Sequence, residues 1–256
     1  MVLIKHIGRY VLGTLETLGR LVIFFAKAIS HCLKPPHFYQ LILKQVIDIG
    51  YYSLPVVGLT TLFSGMVLAL QSFNGFTRFS SESAVATVVA LSITRELGPV
   101  LAGLMVTGRV GSSIAAELGS MKVSDQIDAL KILGTNPFDY LIAPRIIACI
   151  VCLPILVLIG DIIGVFGGFL VGVYKLNFNP STYLYQTVSY LEPMDIASGL
   201  IKASIFGFLL GIMGCFHGYN CRRGAQGVGL ATTNAVVSGC ILILIFNYLV
   251  TELFFS

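Results

Sequence analysis

Residues 3–33 show a regular alternation of apolar and charged positions. Apolar side chains recur at three- and four-residue steps from Ile4 to Ile29, which is the spacing of one face of an α-helix. Charged side chains recur at four- and seven-residue steps from Lys5 to Lys27 and share the opposite face. A long helix that is basic on one side is typical of a membrane interface. We therefore predict an interfacial helix, and a helix packed on a partner protein is the alternative.

Long apolar stretches dominate the rest of the chain. Each reaches the roughly 20 residues that an α-helix needs to cross about 30 Å of hydrocarbon. The pattern predicts an all-α polytopic membrane protein that forms one domain over residues 1–256, with an N-terminal amphipathic interfacial helix and five transmembrane helices. The predicted spans cover residues 47–72, 83–108, 145–173, 196–216 and 229–251.

The basic residues outside the spans predict how the chain is oriented. Cytoplasmic segments of membrane proteins carry an excess of Lys and Arg. If the N-terminus is in the cytoplasm, Arg78 and Lys175 are the only basic residues on the opposite side of the membrane, whereas Arg95 and Lys202 fall within spans. The remaining basic residues all lie inside, which favours a cytoplasmic N-terminus. They are Lys5, Arg9, Arg20, Lys27, Lys34, Lys44, Arg109, Lys122, Lys131, Arg145, Arg222 and Arg223.

Composition supports lipid as the solvent. The chain is 56% hydrophobic and 11% charged, whereas soluble domains carry roughly 25% charged residues. The net charge of +4 is spread over segment ends, so it does not indicate nucleic-acid binding. Cys149 and Cys152 have the spacing of a CxxC motif, but they lie inside an apolar span and are interpreted as packing thiols.

Glycines are regularly spaced in two of the predicted spans. Small residues four apart allow helix backbones to approach closely in lipid. The pattern therefore predicts tight packing of the third and fourth spans against other helices, and no chemistry. The glycines are Gly160, Gly164, Gly168 and Gly172 in the third span, and Gly207, Gly211, Gly214 and Gly218 in and after the fourth.

Charged residues inside the predicted spans are the first candidates for function. A charge at mid-bilayer costs about 2.5–3.5 kcal/mol on insertion scales. Arg95 and Glu96 lie in the second span, Asp161 in the third and Lys202 in the fourth. Adjacent residues on a helix point about 100° apart, so Arg95 and Glu96 cannot both face one partner squarely, and we expect at least one of them to face a polar cavity. We hypothesise that Glu96 approaches Lys202, either as a structural ion pair or as part of a substrate pathway.

The long connection of residues 109–144 contains a second candidate, a short helix at 124–133. Ser124 is a suitable N-cap, and acidic residues in the first turn favour the helix dipole. Gly134 fits the C′ position. The helix could lie on lipid, or it could couple the chain to a cytoplasmic motor. Its candidate residues are Ser124, Asp125, Ile127, Asp128, Leu130, Lys131 and Leu133, of which Ile127, Leu130 and Leu133 form the predicted apolar face.

Catalytic and cofactor motifs do not occur in the sequence. There is no GxxxxGK[ST] loop, no HExxH motif and no His/Cys/Asp cluster with metal-ligand spacing. We therefore predict a chain without a cofactor, without a metal and without catalytic activity of its own. A secondary transporter coupled to protons through Glu96 or Asp161 remains an alternative. An intramembrane enzyme would need a convergent catalytic set, which the sequence does not suggest.

Four segments together resemble the MlaE-type permeases, the membrane subunits of ABC systems that work with MCE (lipid-tunnel) proteins. The segments are Thr94–Val100 (TRELGPV), Gly108–Gly119 (GRVGSSIAAELG), Gln126–Leu130 (QIDAL) and Pro137 to Arg145. The likeness extends over essentially the whole chain. It implies a homodimeric permease of the bacterial inner membrane that moves phospholipid between that membrane and the periplasm or outer membrane.

The resemblance also implies partners and site residues. A separate cytoplasmic ATPase pair would dock on the cytoplasmic loop, and a periplasmic MCE-domain protein would continue the lipid path above a phospholipid-holding cavity. The charged membrane positions of the family correspond to Arg95, Glu96 and Lys202. Family members often carry an acidic residue in the last span, where this sequence has Asn247, with Glu252 lying later.

Overall fold

The computed structural model describes residues 2–33, 38–77 and 84–255, and within these ranges the regular structure is helical throughout. Lys34, Arg78 and position 83, the predicted start of the second span, lie outside the described residues. The helices are α1 Val2–Leu33, α2 Tyr39–Gly50, α3 Leu54–Phe76, α4 Val85–Ser92, α5 Gly98–Val106, α6 Ser112–Val123, α7 Gln126–Ile132, α8 Ala143–Tyr174, α9 Pro180–Ser189, α10 Pro193–Tyr219 and α11 Ala225–Phe255.

Several of these helices join end to end into five segments that are long and apolar enough to cross a membrane. The all-α polytopic fold class is therefore confirmed. Short 3₁₀ or π-helical turns make the joins, at Tyr51–Ser53, Ile93–Leu97, Thr107–Gly111 and Phe138–Ile142. The segments are span 1 (Tyr39–Phe76), span 2 (Val85–Val123), span 3 (Phe138–Tyr174), span 4 (Pro193–Tyr219) and span 5 (Ala225–Phe254).

Helix α1 is continuous over the predicted range 3–33 and packs on the bundle through its C-terminal half. The buried ring of Phe24 lies 5.3 Å from that of Phe138 and 5.5 Å from that of Phe216. Before Phe24 in the same helix, Leu18 and Val22 are exposed. One helix therefore contributes a buried anchor to the core and leaves an apolar surface of the kind that interfacial helices place in lipid.

Span 2 is longer than predicted, and the prediction of a charged loop from residue 109 is wrong. The helix continues to Val123 because small residues in α6 allow it to pack closely on span 4. A side chain at Gly218 would press on the carbonyl oxygen of Ala115 at 2.9 Å, and one at Gly214 would lie 3.1 Å from that of Gly111. Polar residues such as Ser112 suggest a loop, but packing against span 4 keeps this segment helical.

The predicted glycine contacts are present in the described part of the chain. A Cβ at Gly167 would overlap the carbonyl of Leu62 in span 1, and one at Gly207 would overlap the carbonyl of Cys149 in span 3. Gly65 and Gly164 approach each other in the same way. Spans 1, 3 and 4 therefore touch backbone to backbone, as small residues allow in lipid.

The short helix α7 begins later than predicted, and the assignment of Ser124 as its N-cap is wrong. Ser124 lies at the C-terminal end of α6, where its hydroxyl donates to the carbonyl of Ser120 at 2.9 Å. Asp125 then adopts φ 56°, a left-handed conformation that Asp tolerates better than most residues, so it is not in the first turn. Because α6 continues to Val123, these two residues form a joint between two helices.

Of the other features predicted for α7, some are present in the structure and one is wrong. Asp128 lies in the first turn, and Gly134 follows the helix with φ 77°, as expected for C′. Ile127 is fully buried and Leu130 packs against the core, but Leu133 is 78% exposed. The predicted apolar face of three residues is therefore wrong at Leu133, since the helix ends at Ile132 before that face can complete another turn.

Candidate functional site

The π-helical turn Ile93–Leu97 positions the first two candidates inside span 2. A π-turn widens the helix locally, and such turns are frequent at functional sites. Pro99 follows it and cannot donate a backbone hydrogen bond to the preceding turn. The carbonyl of Arg95, in that turn, accepts a hydrogen bond from Lys202 Nζ at 2.8 Å. The irregular backbone of this turn therefore allows a side chain of span 4 to hydrogen-bond to the main chain of span 2.

Glu96 is bound from two other spans. Lys202 Nζ of span 4 donates to Glu96 Oε1 at 2.6 Å, so the hypothesised contact of these two residues is present. Asn247 Nδ2 of span 5 donates to Glu96 Oε2 at 2.9 Å. The hydroxyl of Thr251, one turn further along span 5, lies 2.9 Å from Glu96 Oε1. The carboxylate therefore connects spans 2, 4 and 5.

Arg95 has a different partner, as adjacent helical positions require. Its Nη2 and Nε lie 2.6 Å and 2.7 Å from Asp195 Oδ1. The other carboxylate oxygen of Asp195 accepts the backbone N–H of Glu192 at 3.0 Å, in a reciprocal capping box at the start of α10. Asp195 therefore binds Arg95 and also caps the N-terminal start of span 4.

Sequence analysis missed Asp195 and Thr251 and noted Asn247 only as a departure. The signal for Asp195 was present, because Glu192-Pro193 followed by an acid at the third helical position indicates a helix start. Nothing in the sequence relates that acid to Arg95, about a hundred residues earlier. Thr251 gives no signal at all, since threonines are common in membrane helices.

The charged cluster, comprising Arg95, Glu96, Asp195, Lys202, Asn247 and Thr251, combines fully buried and partly open groups. Lys202 is 0% exposed and Asp195 is 1% exposed. The side chains of Arg95 and Glu96 are both 36% exposed. Lys202 and Asp195 therefore act as buried supports for a guanidinium and a carboxylate that are each partly exposed. The cluster offers one cationic and one anionic contact side by side.

The candidates of α7 form a second, exposed group of charges. Asp128 accepts hydrogen bonds from Lys131 Nζ at 2.7 Å and Lys122 Nζ at 3.0 Å. These two bonds lower the pKa of Asp128 from 3.8 to about 2. Lys131 Nζ also lies 5.8 Å from the ring centroid of Tyr219, at the end of span 4. The helix is thus fastened to span 2 by charge and lies beside span 4.

A groove of about 450 Å³ adjoins α7 on its Lys131 side. It lies between α1, the segment after α7 and the end of span 4. Across it, His31 Nδ1 lies 2.6 Å from Asp139 Oδ1, which ties α1 to the start of span 3. The described residues contain no group of three or more His, Cys, Asp or Glu side chains that could hold a metal ion.

Comparison with a family model matches residues 42–253, and the family is described as Permease MlaE. The match begins within span 1 and ends near the end of span 5, so it covers every segment that contributes to the charged cluster.

Relatives of similar length agree with that match. A probable ABC transporter permease protein of Rickettsia bellii is 60% identical over 252 residues, which are 98% of this chain and 97% of the relative. A probable ABC transporter permease protein of Synechocystis is 38% identical, over 84% of this chain and 81% of the relative. The intermembrane phospholipid transport system permease protein MlaE of Haemophilus influenzae is 34% identical, over 99% of this chain and 97% of the relative.

Proposed function

The chain belongs to the MlaE permease family, and we propose that it carries phospholipid across or out of the bacterial inner membrane with energy from a separate ATPase. As an ABC transporter permease it is a non-catalytic, multi-pass membrane subunit. The observation that carries the proposal is the partly open charged cluster between spans 2, 4 and 5. Phospholipid is the proposed cargo because the relative from Haemophilus influenzae is named for phospholipid transport.

The cluster suits a zwitterionic or anionic head group. In the proposed pathway, the partly exposed guanidinium of Arg95 contacts the lipid phosphate, since guanidinium groups bind phosphate well. The open side of Glu96 receives an amine or hydroxyl of the head group. Lys202 and Asp195 hold both groups in place, and they need not touch the lipid themselves.

A second copy of the chain is the proposed partner for span 5. Exposed apolar residues follow one another at three- and four-residue steps along α11, at Val237, Ile241, Leu244 and Tyr248. Asn247 of the same helix binds Glu96. A homodimer formed through this face would therefore place two charged clusters near one shared cavity.

The ATPase and the MCE-domain protein are proposed for opposite ends of the bundle. With the N-terminus in the cytoplasm, α7 and its neighbouring groove face the cytoplasm, where a motor subunit can press on α7. Helix α9 then faces the periplasm, where Tyr185, Val188 and Tyr190 are exposed and suit contact with an MCE-domain protein or the membrane surface.

Reconstitution tests the proposal directly. The chain purified alone, and the chain purified with its co-isolating subunits, are placed in vesicles that contain a fluorescent phospholipid. We expect ATP-dependent transfer to acceptor vesicles only with the co-isolating subunits, and no ATP hydrolysis by the chain alone. Arg95→Gln should lower transfer, whereas Lys175→Gln, at an exposed lysine after span 3, should not. Transfer by the chain alone under a proton gradient would instead support the secondary transporter.

A further inference from the structure

A second intramembrane site lies on the outer side of span 3, away from the charged cluster. It is a cavity of about 340 Å³ between spans 2 and 3, α9 and the start of span 4. Thr94 lines it from span 2. Thr94 and Glu96 lie two positions apart in the π-helical turn Ile93–Leu97, and Thr94 lines the cavity whereas Glu96 binds Lys202 and Asn247. The cavity and the Glu96 carboxylate therefore lie on different sides of span 2.

Among the residues that the structure describes, Asp161 is the one charged group that lines this cavity, and no polar partner reaches it. The residue is 7% exposed, and its Oδ1 atom is fully buried without a hydrogen bond. That oxygen lies against Gly98, where a Cβ would overlap it. Among the residues described, neither a salt bridge nor a hydrogen bond reaches the Asp161 carboxylate, whereas Glu96 has three polar partners. A buried carboxylate of this kind calls for a ligand or a proton.

The other polar groups of the cavity can only accept hydrogen bonds. The hydroxyl of Thr94 donates to the carbonyl of Ala90 at 2.9 Å, and that of Thr187 donates to the carbonyl of Tyr183 at 2.9 Å. Their oxygen lone pairs remain free to accept. Together with the oxygens of the Asp161 side chain, they can accept hydrogen bonds from a ligand group that donates.

The rest of the lining is aliphatic and opens to the outside of the bundle. The aliphatic residues include Leu158, Ile162, Val165, Val188, Leu191 and Ile196. Ile162 and Val188 are largely exposed, so the mouth faces outward, where the surroundings of a membrane span are lipid. An alkyl chain can therefore enter from the surrounding lipid, and the volume of such a chain suits a pocket of a few hundred Å³.

We propose that this cavity is a binding site for an alkyl-chain amphiphile whose head group donates a hydrogen bond to Asp161, either an ammonium or a hydroxyl group. The chain lies among the aliphatic residues, and the head group supplies the partner that Asp161 lacks. The site is separate from the proposed transport pathway, so it neither requires nor excludes transport through the charged cluster.

Tryptophan fluorescence tests the proposal, because the chain has no tryptophan of its own. Ile162→Trp places a reporter at the mouth of the cavity. Ile155→Trp is the matched control, since Ile155 is exposed on the same face of α8, seven residues earlier, and does not line the cavity. The intact full-length protein in phosphatidylcholine vesicles is titrated with 11-bromoundecylamine, whose bromine quenches tryptophan on contact.

We expect saturable quenching of the Ile162→Trp reporter and only gradual, unsaturated quenching of the Ile155→Trp control. Adding Asp161→Asn to the reporter should weaken the apparent affinity by about tenfold or more, the value of a hydrogen bond to a charged group. Saturation by 11-bromoundecanol as well would assign a hydroxyl head group, and saturation by the amine alone would assign an ammonium; both support the site.

Equal quenching of the two reporters would overturn the proposal. So would saturation by 1-bromoundecane, which has no donor, with the same affinity as the amine. That last comparison uses the unaltered Asp161, so it decides the question even if the Asp161→Asn variant does not fold.

Discussion

Two groups of ion pairs in this chain contain similar side chains in opposite surroundings. In the charged cluster, Lys202 pairs with Glu96 where the lysine is completely buried. Around α7, Lys122 and Lys131 pair with Asp128, and these three side chains are 32%, 46% and 43% exposed. Water can replace a lost partner in the exposed group and cannot do so in the buried one. Similar distances therefore conceal very different energetic consequences.

Removing Lys202 should have the largest effect on stability. Lys202→Met leaves Glu96 without its cationic partner and should destabilise the protein by about 3 kcal/mol, the low end of the range for a broken buried pair, because Glu96 is itself partly exposed. The double variant Glu96→Gln/Lys202→Met should recover most of that loss, because neither charge is left behind. Thermal unfolding in detergent measures both, with Lys175→Met as the control at an exposed lysine. Strictly additive effects would show that the two residues do not interact energetically.

Weakening the second buried pair should have an intermediate effect. Asp195→Asn removes the charge opposite Arg95 but retains an oxygen for the N–H of Glu192, so it should cost about 2 kcal/mol, since Arg95 is partly solvated. Asp195→Ala also removes the cap and should cost about 1 kcal/mol more. Equal unfolding temperatures for the two variants would mean that the capping bond contributes nothing.

Changing the packing of α7 should affect transport more than stability. Leu130→Asp introduces a charge where the helix packs on the core, and the lost burial should cost only about 1 kcal/mol. Insertion into the membrane should survive, whereas ATP-driven lipid transfer by the assembled transporter should fall sharply. Ile132→Asp, at a fully solvated position of the same helix, is the matched control. Full transport by Leu130→Asp would favour a helix that merely lies on lipid.

The exposed pairs should give the smallest effect, and it should depend on pH. The lysines lower the pKa of Asp128 to about 2 from its usual 3.8. Because the pKa is lower in the folded state, the stabilisation is present above about pH 4 and disappears as the pH falls through about 2. Wild type and Asp128→Asn should differ slightly at neutral pH and converge in acid, as measured by thermal unfolding. A difference that grows on acidification would contradict this assignment.

The same contrast explains which predictions from sequence were correct. The five spans, the glycine contacts and the contact of Glu96 with Lys202 could be predicted. The last of these could be predicted because a charge in lipid requires a partner, and few charged residues lie in the other spans. The start of α7 could not be predicted. Ser124 is a good N-cap by itself, but whether it begins one helix or ends another depends on whether α6 packs on span 4.

The sequence by itself determined the class of the protein, because twenty-residue apolar stretches are insoluble unless they cross lipid, and because a few charges inside them must be paired or functional. Only the tertiary structure decided the further partners of these charges. Asp195 and Asn247 meet Arg95 and Glu96 through contacts between residues about one hundred and one hundred and fifty positions apart. In the described part of the chain it also brings no hydrogen-bond donor to Asp161, because span 3 packs there against the backbone of Gly98.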